Sequence, residues 1–551
     1  MMLAKIFILG AILWVTSVPV AAQHQHEVKS STRTTSVPLF EGLSALHHPV
    51  TTSSPKAQQY FDQGLRLIYA FNHDEATRSF KEAVRLDPNC AMAYWGIAFT
   101  LGPNYNLPTD PDRAKAAYEA AQKALSLAAA VSESERAYIE AIAKRYAADP
   151  EADRAALDKA FADAMREVAK KYPDDPDAST LFAESMMNLR PWDLWTLDGK
   201  PQPGTEEIVA TLEGVLKKHP NHPGAIHYYI HAVEPSSQPE RAVPYAERLA
   251  ELAPGAGHLV HMPSHIYMRV GRYKDANESN ARAAKVDEDY IETHDIQGVY
   301  RIMYYPHNVH FQWAAANMEG RSEEALQAAR KLVAQMPVEF VKQMPMAEFA
   351  SPTYLVGLAR FGRWREILEQ PAPPAELQFT TAIWHYTRGL AFVGTNQVDE
   401  ATKEQAKLVE IAAATPAERI VGLNLAAQIL TLAVKTLAGE IAAYRGHTND
   451  AVKMLEEAVQ LQDTLRYEEP PPWYFPVRQS LGAVLLAAGR AADAEKVYRE
   501  DLQRNPENGW SLFGLGRSLR AQKKDKEAAT VEERFRKAWA RADVKLTASR
   551  F

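Results

Sequence analysis

Apolar and small residues recur along the chain with the spacing of packed helix pairs. In the stretch that starts at Ala57, positions 4, 8, 11, 20, 24, 27 and 32 are Tyr60, Gly64, Leu67, Ala76, Phe80, Ala83 and Pro88. Spacings of three and four residues place side chains on one face of a helix, and proline ends a helix. The pattern therefore predicts two helices that pack against each other and end near Pro88.

The same pattern returns further along the chain. The next unit follows at once, with Tyr94, Ala98 and Leu101 at positions 4, 8 and 11, and a late unit contains Gly482, Leu485, Gly489, Ala494, Tyr498 and Pro506. A 34-residue unit of this kind resembles the tetratricopeptide repeat (TPR) superfamily. The resemblance extends over most of residues 55–540. It implies an all-α solenoid of helix-turn-helix units, a right-handed superhelix, whose first helices line a concave groove.

Three stretches interrupt the period and predict loop insertions: residues 190–206, 289–305 and 466–476. Insertions in a solenoid usually lie on one face and are often functional. We predict N-terminal repeat units over residues 51–175, central units over 176–345 and C-terminal units over 346–540. The first two insertions flank the central units and could cover them.

The N-terminus has the pattern of an export signal. Lys5 precedes an apolar run from Ile6 to Val20, and Val20-Ala21-Ala22 fits a cleavage site. The run is short and polar residues interrupt it, so an uncleaved anchor is the less favoured alternative. We predict a signal peptide over residues 1–22, a flexible polar lead-in over 23–50, and a periplasmic or secreted protein without a membrane span after cleavage.

Charge and cysteine content narrow the function classes. The net charge of −7 gives no basic surface for nucleic acid. Cys90 is the single cysteine, which excludes an intramolecular disulfide and a thiolate-rich metal site. No Walker loop, GxSxG elbow or HExxH motif occurs in the 551 residues.

Histidines are concentrated in the central units. Eight of the 17 lie between residues 227 and 310: His227, His231, His258, His261, His265, His294, His307 and His310. In units that start at Pro223, Gly257 and Pro306, the histidines other than His294 occupy positions 2, 5 or 9 of the first helix. Glu234 occupies position 12, and Glu184 occupies position 9 one unit upstream.

Helix geometry groups these positions on one face. At about 100° per residue, positions 2, 5, 9 and 12 span roughly 80° and lie about 130° from the packing positions. We therefore expect the histidines to face the groove instead of the core. Neighbouring helices lie about 8–10 Å apart, so imidazoles from adjacent units can meet.

This arrangement favours a transition-metal site. Histidines at i and i+4 give a metal two nitrogen ligands from one helix, and this spacing occurs twice. The predicted ligands are His227, His231, His258, His261, His265, His307 and His310. Imidazoles without thiolates suit Cu, Zn, Fe or Ni, and their number permits two ions. The spacing is similar to that of paired-copper sites in helical bundles. Glu234 and Glu184 are candidate oxygen ligands, ligand partners or general bases, so a metalloenzyme is one reading.

Other readings stay open. The histidines could bind an anionic ligand without metal, respond together to pH, or contact a peptide or protein partner held by a TPR scaffold. Arg269, Tyr304 and Tyr305 are candidate substrate contacts. Segments such as GHLVHMPSHIYMRVGRY resemble stretches of exported bacterial TPR proteins, a resemblance that implies no particular activity.

Overall fold

Helices follow one another in packed pairs through residues 37–551, which are the residues that this computed structural model describes. The predicted signal peptide and the first part of the predicted lead-in lie outside these residues. In the N-terminal part, the helices are α1 Pro55–Tyr69, α2 His73–Leu86, α3 Ala91–Leu101, α4 Pro111–Leu127, α5 Glu133–Ala143 and α6 Arg154–Lys171.

The central part contains shorter helices around one long one. They are α7 Pro176–Met187, α8 Thr205–Lys218, α9 Pro223–Val233, α10 Val243–Leu252, α11 Gly257–His261, α12 Pro263–Arg269, α13 Tyr273–His294, α14 Tyr305–Glu319, α15 Ser322–Ala334 and α16 Val338–Gln343. A π-helical turn, Tyr300–Tyr304, leads into α14. The insertion predicted at residues 289–305 is thus partly helical.

The C-terminal part consists mainly of regular pairs. Its helices are α17 Thr353–Arg360, α18 Trp364–Glu369, α19 Gln378–Gly394, α20 Val398–Ala414, α21 Ala426–Tyr444, α22 Thr448–Asp463, α23 Val477–Ala487, α24 Ala491–Arg504, α25 Gly509–Ala521 and α26 Asp525–Ala538. Two short strands, β1 Ile420–Val421 and β2 Asn424–Leu425, pair antiparallel before α21. Helix α21 is long and apolar enough to cross a membrane, but 56% of its most apolar window is buried in the protein, as in a core helix.

The predicted small and large positions interlock the helices. A Cβ atom added at Gly64 or at Gly96 would come within 2.6 Å of the Phe80 ring, so α1 and α3 both pack on that ring. Tyr498 of α24 is contacted in the same way by Gly482 and Gly514. The predicted all-α helical-repeat fold is confirmed.

Part of the predicted lead-in is packed against the helices. The Tyr60 hydroxyl donates to the Val37 carbonyl at 2.7 Å, and His48 Nδ1 lies 2.8 Å from Asp177 Oδ2. Leu43 is buried. Residues 37–50 are therefore held by specific contacts, because the polar side chains of this segment find partners on α1 and α7.

The buried apolar side chains form two large clusters that meet in the central part. One extends from Leu43 to Tyr304 and the other from Ala284 to Leu546. Tyr304 and Tyr305, although adjacent in the sequence, belong to different clusters. The histidine-rich helices lie at this junction.

Candidate metal centre

Four helices, α9, α11, α12 and α14, bring six of the central histidines into two groups of three. One ligand atom from each member lies within 4.8 Å of those of the other two in the group. The first triad is His227, His231 and His258, and the second triad is His261, His265 and His307. The triads are adjacent, since the His231 and His265 ring centroids are 5.3 Å apart and those of His258 and His261 are 5.6 Å apart.

The histidines are enclosed, so the groove face on which we predicted them is covered by other side chains. Five of the six are at most 1% exposed, and only His307 is partly exposed. Phe71, in the turn after α1, lies 4.4 Å from the His227 ring and stacks on His258 at 5.4 Å. On the other side, Phe311 lies 4.7 Å from His261. The groove face is therefore covered by side chains distant in sequence.

The first insertion also covers the centre. Trp192, in the loop between α7 and α8, lies 5.6 Å from the His231 ring, and Trp195 donates its indole N–H to the Ala232 carbonyl at 2.7 Å. Tyr105 lies 5.4 Å from His231 and stacks on Trp192. The aromatic residues of this loop thus form a wall of the centre.

Hydrogen bonds fix the ring orientation in the first triad. His227 Nδ1 lies 2.6 Å from the Tyr69 carbonyl oxygen, and His231 Nδ1 lies 2.8 Å from Glu234 Oε1. Both partners only accept, so each Nδ1 carries the proton and each Nε2 presents a lone pair. His231 Nε2 is buried and has no hydrogen-bond partner.

The second triad is oriented in the same way. His265 Nδ1 lies 2.5 Å from Glu234 Oε2, and His261 Nδ1 lies 2.6 Å from Asn280 Oδ1. The Asn280 amide nitrogen donates to the Ala276 carbonyl, which fixes the amide orientation and makes Oδ1 the acceptor. The protons of His261 and His265 therefore also lie on Nδ1, and their Nε2 lone pairs are free.

The lone pairs converge at short distances. His261 Nε2 and His265 Nε2 are 2.8 Å apart, and His227 Nε2 and His258 Nε2 are 3.2 Å apart. The facing lone pairs of His261 and His265 repel unless a cation lies between or beside them, whereas His258, whose Nδ1 has no partner, can donate from Nε2 to His227. Two nitrogens that bind one ion at about 2.0–2.1 Å lie roughly 2.9–3.4 Å apart, close to these separations.

A proton is a poor candidate for that cation. Burial, and then repulsion from neighbouring imidazoles, lowers the pKa of four rings well below the ordinary value: His227, His258, His261 and His307. Burial also lowers the pKa of His231, although Glu234 opposes the shift. Neutral imidazole is the form that binds metal ions.

Glu234 lies on the far side of the rings from the Nε2 atoms. It accepts hydrogen bonds from His231 and His265, one in each triad. Burial alone would raise the pKa of Glu234, but these two histidines outweigh it and hold that pKa at about 2. A carboxylate that accepts from ligand imidazoles orients them and raises their basicity. The geometry favours this role over the predicted role of general base.

Other predicted site residues lie apart from the triads. His310 belongs to neither triad and stacks on Trp313. Glu184 is fully buried and bonds Asn188 at 2.5 Å, with its Oε2 unpartnered. Arg269 donates to the Glu234 carbonyl at 2.9 Å, so it supports the Glu234 backbone.

The two adjacent tyrosines are placed differently. The Tyr304 ring lies 4.8 Å from His258 and its hydroxyl is near Asn106. The Tyr305 hydroxyl donates to Glu288, away from the triads. Of these two tyrosines, Tyr304 is therefore the one in a position to contact something bound at the centre.

Sequence reasoning missed several contributors to the centre: Phe71, Tyr105, Asn280, Phe311 and Tyr467. Asn280 could have been recognised, because it occupies repeat position 24, where other units have Phe80 and Tyr498. An amide at a packing position needs a polar partner, and that partner is His261. Tyr467 lies in the third insertion, and its hydroxyl is 3.2 Å from Glu234 Oε2 and 2.6 Å from Glu469 Oε1.

Comparisons with known proteins give no close relative. No protein-family model and no curated protein matches the chain. Solved structures overlap it loosely. A human IFIT1 dimer with m7Gppp-AAAA has 14% identity and a TM-score of 0.34, with 89% of this chain and 92% of that chain covered. Yeast Tom70 has 11% identity and a TM-score of 0.25, with 88% and 91% covered. These overlaps carry no functional argument.

Proposed function

We propose that this chain is a metalloprotein that holds two transition-metal ions, one in each histidine triad. The observation that carries the proposal is the set of fixed lone pairs. Four imidazoles have Nδ1 bound to an acceptor, so their Nε2 atoms face a buried site as unprotonated ligands: His227, His231, His261 and His265. A buried acceptor without a donor costs free energy that a bound cation recovers.

Two ions fit the donor set better than one. Six imidazoles exceed the requirement of one four-coordinate ion, and each triad supplies three of the four ligands that a tetrahedral ion takes. Glu234 orients one ring of each triad, so a single carboxylate serves both ions.

The donor set supports Cu, Zn or Fe. All six ligands are neutral nitrogens, and the single cysteine, Cys90, lies in another core cluster with Tyr60 and Ala83. Imidazole sites bind copper most tightly among the first-row divalent ions. We therefore expect copper to be taken up in preference when several metals compete.

Small molecules would approach the ions from the side of His307. It is the only ligand of the two triads that is partly exposed. Pairs of metal ions can activate water or bind dioxygen, so a metalloenzyme that acts on a small molecule is the catalytic form of this proposal. Tyr304, beside His258, is the protein side chain we expect to contact such a molecule. We propose a periplasmic or secreted location because residues 1–22 have the pattern of an export signal.

The alternative function is a scaffold whose groove holds a peptide or protein partner through the histidines. Burial counts against it, because a peptide could reach these rings only after Phe71 and Trp192 moved away.

Elemental analysis of the natively purified chain, without a histidine tag, tests the proposal. We expect about two equivalents of one transition metal. His258→Ala should lose the ion of the first triad and His307→Ala that of the second, which leaves about one equivalent in each variant. His385→Ala is the matched control, since His385 is also paired with a carboxylate, Glu404, at 2.6 Å but lies outside the triads.

Calorimetric melting of each variant separates metal loss from unfolding. A folded wild-type protein that contains no metal and takes up none of Cu, Zn or Fe would contradict the proposal. So would a metal content that falls equally in His385→Ala.

A further inference from the structure

A second buried acid lies behind the metal centre. Glu469, in the third insertion, is 9% exposed, and its Oε1 lies 2.6 Å from the Tyr467 hydroxyl oxygen. The same hydroxyl lies 3.2 Å from Glu234 Oε2. Tyr467 therefore bridges Glu469 and the carboxylate that orients one ring of each triad.

The bridging phenol has a single proton for two acids. A hydroxyl donates one hydrogen bond, and its remaining capacity is to accept. If Glu234 and Glu469 were both ionised, one of the two contacts would turn a phenol lone pair towards a negative oxygen. Both contacts are hydrogen bonds when one of the two acids carries a proton.

The partners of each oxygen decide which acid that is. Both oxygens of Glu234 accept hydrogen bonds from imidazoles, at 2.8 and 2.5 Å. Glu469 Oε2, in contrast, is buried and has no hydrogen-bond partner. A negative oxygen buried without a donor is more costly than a neutral carbonyl oxygen in the same place. The proton therefore lies on Oε1 of Glu469, which donates to Tyr467, and Tyr467 donates to Glu234.

The groups that face Glu469 agree with a neutral acid. Burial, and then repulsion from Glu234, raises the pKa of Glu469 to about 7, although Arg269, Tyr467 and His265 oppose the shift. The one full positive charge among these groups, that of Arg269, lies over the Tyr467 ring at 5.7 Å and donates to the Glu234 backbone carbonyl. Arg269 is therefore bonded to the segment of the other acid and not to Glu469.

Bound ions would change this balance of charge. The six imidazole ligands are neutral, so two divalent ions would meet one negative charge, that of Glu234, in the hydrogen-bonded network behind the rings. A nearby positive charge favours the ionised form of an acid. Because Tyr467 joins Glu469 to Glu234, ionised Glu469 would add a second negative charge to the same network.

We propose that Glu469 carries a proton in the metal-free protein and releases it when the triads take up their ions, a step that rests on the metal binding proposed above. The O–H bond of the carboxyl group breaks, its electron pair stays on the carboxylate, and the proton passes to the buffer. Glu469 thus offsets the charge of the ions without being one of their ligands.

Calorimetric titration of the metal-free protein with Zn²⁺, at about pH 6 in two buffers of different ionisation enthalpy, counts the protons released. We expect Glu469→Gln to bind as much zinc as wild type and to release about one proton fewer, because its amide does not ionise. Protons lost from imidazoles would leave both proteins alike, so the difference belongs to Glu469.

Glu468→Gln is the matched control. Glu468 is a neighbouring acid of the same insertion, and burial likewise raises its pKa to about 7. Its Oε2 accepts from the Leu423 N–H at 2.7 Å, so it bonds the β1–β2 turn and not Tyr467. This variant should release as many protons as wild type.

Infrared spectroscopy covers the case in which Glu469→Gln does not fold. In wild type, zinc should remove the absorption band of one protonated carboxyl group. Tyr467→Phe should shift that band in the metal-free protein, because the Glu469 hydroxyl loses its acceptor.

The outcomes separate this inference from the proposed function. Equal proton counts in wild type and Glu469→Gln, at equal zinc uptake, would overturn the inference and leave the metal centre intact. So would a carboxyl band that zinc does not change. A folded wild type that takes up no zinc would overturn the inference, and failure to take up copper and iron as well would overturn the proposed function.

Discussion

Glu234 joins the two histidine triads through hydrogen bonds to the Nδ1 atoms of His231 and His265. Its carboxylate is fully buried, and Tyr467 and the two imidazoles are its partners. A single side chain thus sets the proton position in one ring of each triad. Because Glu234 lies on the outer side of the rings, this buried acid can orient the neutral imidazole ligands through their Nδ1 atoms.

Glu234→Gln tests this positioning role. The amide can accept from only one histidine and presents N–H groups to the other, so one ring loses its orientation. We expect metal affinity to fall by about 10–100-fold, measured by competition with a chelator. Glu404→Gln, which alters the matched His385 pair, should leave affinity unchanged. Unchanged affinity in Glu234→Gln would show that the carboxylate does not orient the ligands.

Glu184 is a buried acid with a different environment. Burial raises its pKa to about 7, although Arg145 and the Asn188 amide oppose the shift. The pKa of such a carboxyl group is higher in the folded than in the unfolded protein. At pH values between the two, the folded protein therefore binds more protons than the unfolded protein. Its contribution to stability is therefore present at low pH and is lost as pH rises towards 7.

Glu184→Gln should remove this dependence, because the amide does not ionise. Relative to wild type, we expect the variant to gain up to about 3 kcal/mol in unfolding free energy between pH 4.5 and pH 8. Denaturant unfolding of the metal-loaded proteins at both pH values measures it. An equal stability difference at both pH values would show that Glu184 ionises normally in the folded chain.

At the scale of the helix pair, one packing position distinguishes structural units from the metal-binding unit. Phe80 and Tyr498 occupy position 24 of their units and pack against glycines of neighbouring helices. Asn280 occupies the same position and bonds His261 instead. The same helix geometry therefore supports either apolar packing or ligand orientation, according to the residue at position 24.

Gly96→Ala tests the packing of these pairs. The added Cβ would lie 2.6 Å from ring atoms of Phe80, so we expect a loss of about 1–3 kcal/mol in unfolding free energy. Gly214→Ala is the matched control, since no atom lies within 4 Å of its added Cβ. That change should stabilise α8 by about 0.5–1 kcal/mol, because glycine is a poor helix former. Equal effects of the two changes in thermal unfolding would contradict this account of the interlock.

The repeat pattern also explains how much the sequence could predict at this scale. Positions 4, 8, 20 and 24 are occupied by residues that pack within a helix pair, and such contacts are local in the sequence. Helices α1 and α2 accordingly lie where the pattern from Tyr60 to Pro88 predicts them. Two of the predicted unit starts also agree with the structure. Pro223 is the first residue of α9, and Pro306 is the second residue of α14. Helix periodicity further predicts that His231 and His265 meet, and their rings are 5.3 Å apart.

For the whole molecule, the pattern could not predict what closes the groove. The centre is covered by Phe71 from the N-terminal part and by Tyr467 from the C-terminal part, residues almost 400 positions apart. These contacts depend on the curvature of the repeats, to which each pair contributes a small rotation that the spacing of residues does not encode. The burial of the histidines, and the separation of His310 from the triads, follow from that closure.

Anomalous X-ray diffraction from crystals of the natively purified protein tests the central claim most directly. Data collected above and below the absorption edge of the metal found by elemental analysis would locate each ion. The account predicts two peaks, one about 2.0–2.1 Å from the triad nitrogens of His227, His231 and His258, and one at the same distance from those of His261, His265 and His307. A map without peaks at the triads, in a protein that diffracts with the fold described above, would contradict it.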